Sequence, residues 1–594
     1  MKFFKRVETA FHTRVGAYVF FALAAAAFVF LFSAKWAYGW IAELYPLGGA
    51  FVPTLFCVIC LCGAISLVFL LLAEKSKRKP LRAVHTAACV LTGLLLAYTC
   101  FLLFGLDKGL DPESLKNGAE SLLPKLPYLG AALALPLPFV LWKKTKRAAL
   151  AALCLLLAIC LGGALMHFVP LVKTEKSLAK NAWHRKPLPE NAAEMIAVLP
   201  SARQLSHGED TEFYAFFHFG INTFTGSEWG TGQEDPMLFD PTSLDTDQWI
   251  ESIAAAGMTG AIITAKHHDG FCLWPTEYSD FSVKNSAYQE DVVARFAESC
   301  RKYGVKFGFY LSPWDRNAAT YGQSEAYNDY YVQQLTELLT NYGEVFEVWF
   351  DGAVGEEYKG IQSYDWDRWV ALVRELQPNA CTAIAPPVPD VAWVGNEDGM
   401  ANGNVSSVRY RSEQWIWARS ECDVSIRPGW FYHEQEEPKS LDELMHIYYN
   451  SIGMNCSLLL NIPPNKEGRL DQKDVDRLAE FGRAIDALYE NKLPAEMTVL
   501  REGDQIYALD FKLEPGQKAK HIVLSEELGQ AGERITKWSV YAKAGALYFK
   551  LGGAESAGGK TILRLNPWVK ADSYRILIEE ARGNPALRDI SFYG

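Results

Sequence analysis

The chain has 594 residues, 49% of them hydrophobic, and a formal net charge of -11 at pH 7. That length exceeds one ordinary hydrophobic core and asks for at least three units. The acidic balance excludes a nucleic-acid surface, because neutralising phosphates takes a basic patch and the only basic clusters sit between apolar runs near the N-terminus.

Apolar runs at 16–34, 51–73, 83–105 and 147–172 are each long enough to cross a bilayer, and a shorter, proline-bearing run at 127–142 makes a fifth. Basic residues gather at Lys2, Lys5, Arg6 and Arg14, in EKSKRKPLR (74–82) and in KKTKR (143–147), whereas the loop 106–125 is acid-balanced. The positive-inside rule puts the basic loops in the cytoplasm, which requires five spans and delivers everything after Lys173 to the outside. The basic stretch KTEKSLAKNAWHRKP (173–187) runs against that rule, but it leads into a large domain, where loop charge counts less. The expectation is a transmembrane segment of five helices over residues 1–172, a linker over 173–194, and a multi-pass cell-membrane protein with the lipid bilayer as a partner and its catalytic domain on the extracytoplasmic side. A cleaved signal peptide is the alternative for the first run, but no small-residue cleavage site follows it. Of twelve cysteines, five (Cys272, Cys300, Cys381, Cys422, Cys456) lie beyond this segment, scattered and odd in number, which is not a disulfide framework.

Residues 195–492 alternate between strand and helix patterns. FYAFFHFGINTF (213–224), GAIITAKHH (260–268), VKFGFYLSPW (305–314), EVFEVWFD (344–351) and ACTAIAPP (380–387) read as strands. Between them, 245–257, 289–304, 328–343 and 365–379 read as helices, with Gly257, Gly304 and Gly343 at C-cap positions. Ser440 and Glu443 have capping-box spacing before LDELMHIYYN. The alternation predicts a parallel α/β domain, a (β/α)8-like barrel, with an open doubly wound sheet as the other arrangement.

In a barrel the carboxyl ends of the strands face the active site. Trp349 and Asp351 are two apart, so they share a face at such an end. A carboxylate beside an indole suits a sugar hydrolase, meeting positive charge at the anomeric carbon and offering an aromatic wall to the ring; the bland alternative is a helix-capping aspartate. A partner acid is needed, and Glu397 in VAWVGNEDGMANG (391–403), with Trp393 nearby, offers one unless it is merely a solvated loop residue. His267 and His268 in TAKHHDGFCLW lack a third ligand at a recognised zinc spacing, so they read as donors to sugar hydroxyls, with no metal and no cofactor. A metal-dependent hydrolase on His267, His268 and Asp269 is the rival. His218 would be a third donor or, alternatively, a satisfied core histidine.

The ordered series FYAFFHFGINTFTGSEWG (213–230), AKHHDGFCLW (265–274), FGFYLSPWD (307–315), VWFDG (348–352), WVGNEDG (393–399), SIRPGWFYH (425–433) and LLLNIPPNKEGRL (458–470) resembles glycoside hydrolase family 29, the α-L-fucosidases. The resemblance implies a retaining double displacement with Asp351 as nucleophile and Glu397 as acid/base, Glu421 or Asp423 being the next candidates for the acid. It implies that His218, Trp229, His267, His268 and Tyr310 hold fucose hydroxyls and that Trp349 packs against the sugar. The WVGNE loop is similar to the branch preferring α-1,3 and α-1,4 linkages, so the partner would be a fucosylated oligosaccharide or glycoconjugate, cleaved exo-wise at terminal fucose. Retention calls for carboxyl groups about 5–5.5 Å apart. A non-catalytic membrane glycan sensor on the same fold is the alternative, and no protein partner is indicated.

Residues 493–594 read as short alternating strands separated by Gly, Pro and Asn, an all-β sandwich. This region resembles galactose-binding-like, discoidin-type modules, which implies either carbohydrate binding or packing against the barrel.

Overall fold

A computed structural model describes residues 172–401, 405–565 and 571–594. The five apolar runs expected to cross a membrane lie outside the described residues, apart from Val172 at the end of the last, which opens a short strand, Val172–Thr174. Among the described residues no helix is long and apolar enough to cross a membrane.

Eight strands close into a barrel: β1 (Phe213–Phe217), β2 (Gly260–Lys266), β3 (Lys306–Leu311), β4 (Glu347–Phe350), β5 (Cys381–Ala383), β6 (Val391–Trp393), β7 (Arg419–Ser425) and β8 (Cys456–Asn461). Neighbours pair in parallel all the way round, with β8 returning to β1. The open doubly wound arrangement is therefore excluded. Strands such as β1, FYAFF, are buried at every position, as a parallel sheet covered on both faces demands. Helices α1 (Thr246–Ala255), α2 (Val292–Tyr303), α3 (Ser324–Asn341) and α4 (Trp366–Leu376) follow β1 to β4, and α5 (Leu441–Asn450) and α6 (Gln472–Glu490) follow β7 and β8. β5 runs to β6 without one. Asp245, Asp291 and Asp365 accept backbone N–H groups at the starts of α1, α2 and α4, and Ser440 with Glu443 closes the expected capping box on α5. Gly304, at φ 69°, ends α2 in the left-handed conformation.

The expected strand over 213–224 is shorter than its pattern. It stops at Phe217, and Ile221–Thr225 forms a helical turn closed by Gly226 at φ 70°, so the second half of the apolar run packs as a helix. This places His218 at the strand's end.

Side-chain alternation sorts the barrel interior. Tyr214, Phe216, Ile262, Tyr310, Trp349, Cys381, Ala383, Val391 and Leu459 pack together inside, while their strand neighbours Phe213, Ala215, Phe217, Ala261 and Ile263 face the helices. Along β4, Glu347, Trp349 and Asp351 therefore climb one face from the floor to the mouth. Glu421 and Asp423 climb β7 in the same way.

The C-terminal strands form two antiparallel sheets. With β9 (Ala495–Glu502), β10 (Gln505–Leu513), β11 (His521–Glu526), β12 (Ile535–Ala544), β13 (Leu547–Ala554), β14 (Thr561–Arg564), β15 (Ser573–Ala581) and β16 (Leu587–Tyr593), hydrogen-bonded neighbours run β13-β12-β15-β10-β9 in one sheet and β16-β11-β14 in the other. Leu509, Phe511, Trp538 and Ile576 of the first share a core with Ile522, Leu524 and Phe592 of the second, which makes a sandwich. The stretch expected as a linker, 173–194, is not free chain. Its helix Glu175–Asn181 buries Leu178 against Tyr541, Tyr548 and Leu577, and Trp183 donates its indole N–H to the Ile506 carbonyl at 2.7 Å. Full burial of a leucine such as Leu178 contributes about 1.5–3 kcal/mol. Barrel and sandwich belong to one compact unit, Lys173–Gly594.

Candidate active site

At the mouth of the barrel Asp351 follows β4, one step beyond the buried strand, with its side chain 25% exposed. Its Oδ1 accepts the backbone N–H of Ala353 at 2.8 Å and its Oδ2 accepts the Tyr310 hydroxyl at 3.0 Å. His268 Nε2 stands 3.7 Å from the same Oδ2. This carboxylate is held at both oxygens and is still partly open to solvent.

Three buried imidazoles lie close to it. The His267 and His268 rings lie 4.2 Å apart, and Tyr310 is 5.6 Å from His267, which is in turn 5.4 Å from His218. The sequence alternation would have sent His267 and His268 to opposite sides. It fails because β2 ends at Lys266 and its pairing with β3 slips between Thr264 and Lys266, so the two histidines sit in a turn. Burial lowers the pKa of all three: to about 3 for His218, well below the usual value for His267, and less far for His268, whose lowering the Asp351 charge opposes. At neutral pH they are uncharged hydrogen-bonding groups.

Their tautomers follow from their partners. Asn461 Oδ1 accepts from His218 Nδ1 at 2.9 Å, while its amide nitrogen donates to Ser425 Oγ and the Trp430 carbonyl, so His218 Nε2 carries a lone pair. Ser312 spends its proton on the Trp314 carbonyl at 2.6 Å and accepts from His268 Nδ1 at 2.7 Å. His268 Nε2 is thus an acceptor facing a carboxylate, and a hydroxyl between the two can donate to either.

Glu397, exposed on the loop after β6, accepts the Trp430 indole N–H at 3.2 Å through its Oε2. The Trp430 ring lies 4.9 Å from His218, and its backbone N–H donates to Glu228 at 2.9 Å. One chain of contacts therefore links Asp351 through Tyr310, His267, His218 and Trp430 to Glu397. Trp349 forms the floor: 6% exposed, 5.4 Å from Tyr310, its indole N–H donated to Glu421 Oε1 at 2.7 Å. Trp229 stands apart from this ring at the rim, 59% exposed and 6.4 Å from Trp314.

Glu421, the second candidate for the acid, is fully buried beneath Trp349, and Asp423 is 3% exposed. Asp269 is turned away from the histidines, accepting from Asn222 Nδ2 at 2.9 Å and the Phe271 N–H at 2.6 Å. Among the described residues no group of three His, Cys, Asp or Glu side chains is placed to hold a metal ion, so the rival built on His267, His268 and Asp269 finds no converging donor set. Trp430, Asn461, Ser312 and Trp314 do structural work in the site that sequence reasoning did not single out. All four lie inside the quoted motifs, but nothing local shows what each one touches.

An eight-stranded parallel barrel with an oriented carboxylate, neutral imidazoles and aromatic side chains at its C-terminal mouth is an arrangement suited to sugar chemistry. A family model described as alpha-L-fucosidase matches residues 203–488. Over 450 residues the chain is 37% identical to "Alpha-L-fucosidase 1" of Arabidopsis thaliana, covering 67% of this chain and 88% of that one. It is 35% identical to "Putative alpha-L-fucosidase 1" of Oryza sativa, covering 74% and 91%. Among solved structures, a putative α-L-fucosidase from Bacteroides ovatus superposes with a TM-score of 0.62 at 38% identity, covering 69% of this chain and 77% of that one. A Ruminococcus gnavus GH29 fucosidase in complex with fucose gives 0.61 at 27% identity, covering 69% and 96%. The chain belongs to the α-L-fucosidases of glycoside hydrolase family 29.

Proposed function

We propose that this α-L-fucosidase is a retaining exo-enzyme that removes terminal α-1,3- or α-1,4-linked fucose from oligosaccharides or glycoconjugates, acting from the outer face of a membrane anchored by residues 1–172. The observation that supports the mechanism is the held but partly exposed Asp351, linked through Tyr310, His267, His218 and Trp430 to Glu397.

In the first step an Asp351 oxygen attacks the anomeric carbon of fucose as the glycosidic bond breaks, and Glu397 transfers its proton to the departing oxygen. In the second, Glu397 takes a proton from water, water oxygen bonds to the anomeric carbon, and the Asp351 ester bond breaks to restore the carboxylate. The neutral imidazoles of His218 and His268 accept hydrogen bonds from sugar hydroxyls at their Nε2 atoms, and Tyr310 and Trp349 supply the wall beneath the ring. Trp229, exposed at the rim beside Trp314, is the remaining candidate for a contact with the sugar.

The linkage preference rests on the WVGNE loop that carries Glu397, and the anchoring rests on the apolar runs and basic loops of the N-terminal segment. Assaying fucose release from α-1,2-, α-1,3-, α-1,4- and α-1,6-linked oligosaccharides tests the first. Comparable rates on all four would overturn it. Protease accessibility of residues 173–594 in intact cells, with and without membrane permeabilisation, tests the second, and protection before permeabilisation would overturn the orientation.

A further inference from the structure

Trp393 combines two properties that rarely coincide. It is 39% exposed, yet its indole N–H is fixed, donating at 2.6 Å to Oδ1 of Asp423, which is only 3% exposed. Trp393 ends β6 two residues after Val391, which packs inside the barrel, so its side chain continues that face over the mouth. Asp423 lies one step above Glu421 on β7, and among the described residues no cation pairs with it. Burial, and then the neighbouring charges of Glu421 and Glu397, raise its pKa well above the usual value. A buried carboxyl group without a counter-ion is unfavourable for stability, and the contact it makes is the one that immobilises an exposed indole.

The position of Trp393 on the loop gives that indole a use. Glu397 follows it by four residues and must reach the glycosidic oxygen, so the neighbouring surface outside the fucose site is where the departing sugar lies. An indole already locked in place offers a flat apolar face to the C–H side of a pyranose without losing further side-chain freedom on binding.

We propose that Trp393 is the stacking platform for the leaving saccharide and determines specificity for it, with Asp423 as the positioning residue that holds the indole. This deepens the proposed function and rests on it, since it presumes that Glu397 serves the glycosidic oxygen.

The test compares kcat/KM on a Lewis-type trisaccharide with kcat/KM on α-L-fucosyl fluoride, whose leaving group needs neither a platform nor a proton. In Trp393→Ala the ratio of trisaccharide to fluoride should fall about tenfold or more, mainly through KM, and Trp393→Phe should restore most of it. Asp423→Asn keeps an acceptor oxygen and should preserve the ratio, whereas Asp423→Leu should lower it. Unfolding curves identify any variant lost to misfolding, in which case the Phe and Asn variants decide. An unchanged ratio in folded Trp393→Ala, or a Trp393→Phe ratio as low as that of Trp393→Ala, overturns the platform. A wild-type enzyme that cleaves the fluoride but not the trisaccharide points to a different leaving sugar and overturns the platform for this one. Inactivity on both substrates overturns the fucosidase reading itself.

Discussion

Trp349 hangs from Glu421: the indole N–H at the mouth of the barrel is donated at 2.7 Å to a carboxyl oxygen that no solvent reaches. The same carboxyl accepts the hydroxyl of Tyr214 through its other oxygen. Below it, Glu347 meets His207 at 2.5 Å. Trp349 is thus fixed from underneath by an acid that, among the described residues, forms no ion pair with a Lys or Arg.

Replacing Glu421 by Leu leaves the buried Trp349 N–H without its acceptor, which costs about 1–3 kcal/mol, and turns the Tyr214 hydroxyl over to Glu347 alone. Glu421→Gln keeps an acceptor and should lose much less. Urea unfolding of the two variants measures the difference, and kcat should fall in the Leu variant even where it remains folded, because Trp349 is free to turn.

The same pair makes stability depend on pH in a definite direction. Burial pushes Glu347 and Glu421 from an ordinary 4.5 up to about 8, so between those values the folded chain holds protons that the unfolded chain has released. Their contribution is complete below pH 4.5 and is lost as pH rises towards 8. His218 acts at the other end: lowered from 6.5 to about 3, it stabilises fully above 6.5, and that contribution fades as pH falls. Melting temperatures across pH should show Glu421→Gln flattening the alkaline decline while leaving the acid limb in place.

Separating the roles of the two carboxylates needs a nucleophile other than water. Glu397→Ala should lose about 10²–10⁴-fold on a glycan, yet still form the Asp351 ester from fucosyl fluoride, and added azide should then release α-fucosyl azide. Asp351→Gly lacks the ester step, so azide displaces fluoride directly and should give the β-azide. NMR of the products distinguishes the two outcomes.

The sandwich is tied into the barrel behind the Glu397 loop. Glu533 Oε2 accepts the Ser407 N–H at 2.9 Å, its Oε1 pairs with Arg582 at 3.4 Å, and Arg582 reaches Ser406 at 2.6 Å. Glu533→Leu strands a buried guanidinium and should destabilise by about 3–5 kcal/mol, whereas the double variant with Arg582→Leu should recover part of that loss. Urea unfolding of the single and double variants checks this.

The sequence made the barrel legible where each local signal agreed with the fold: strands closed by glycine-capped helices, and an aspartate two residues beyond a strand tryptophan. It misled where backbone geometry changed within a run, as at Phe217 and at Lys266, because periodicity continues past the point at which hydrogen bonding stops. The contacts that orient the site could not be read at all. His218 and Asn461 are 243 residues apart, and Trp349 and Glu421 are 72 apart. Only closure of the barrel makes them neighbours. The stretch 173–194, expected as a linker, is docked through Leu178 and Trp183.

The central claim, that Asp351 attacks the anomeric carbon, is tested most directly by time-resolved proton NMR of the full chain with a Lewis-type trisaccharide carrying α-1,3- or α-1,4-linked fucose. The account predicts α-fucose as the first product, ahead of mutarotation, and no release in Asp351→Ala. β-Fucose as the first product, or undiminished release by Asp351→Ala, would contradict it.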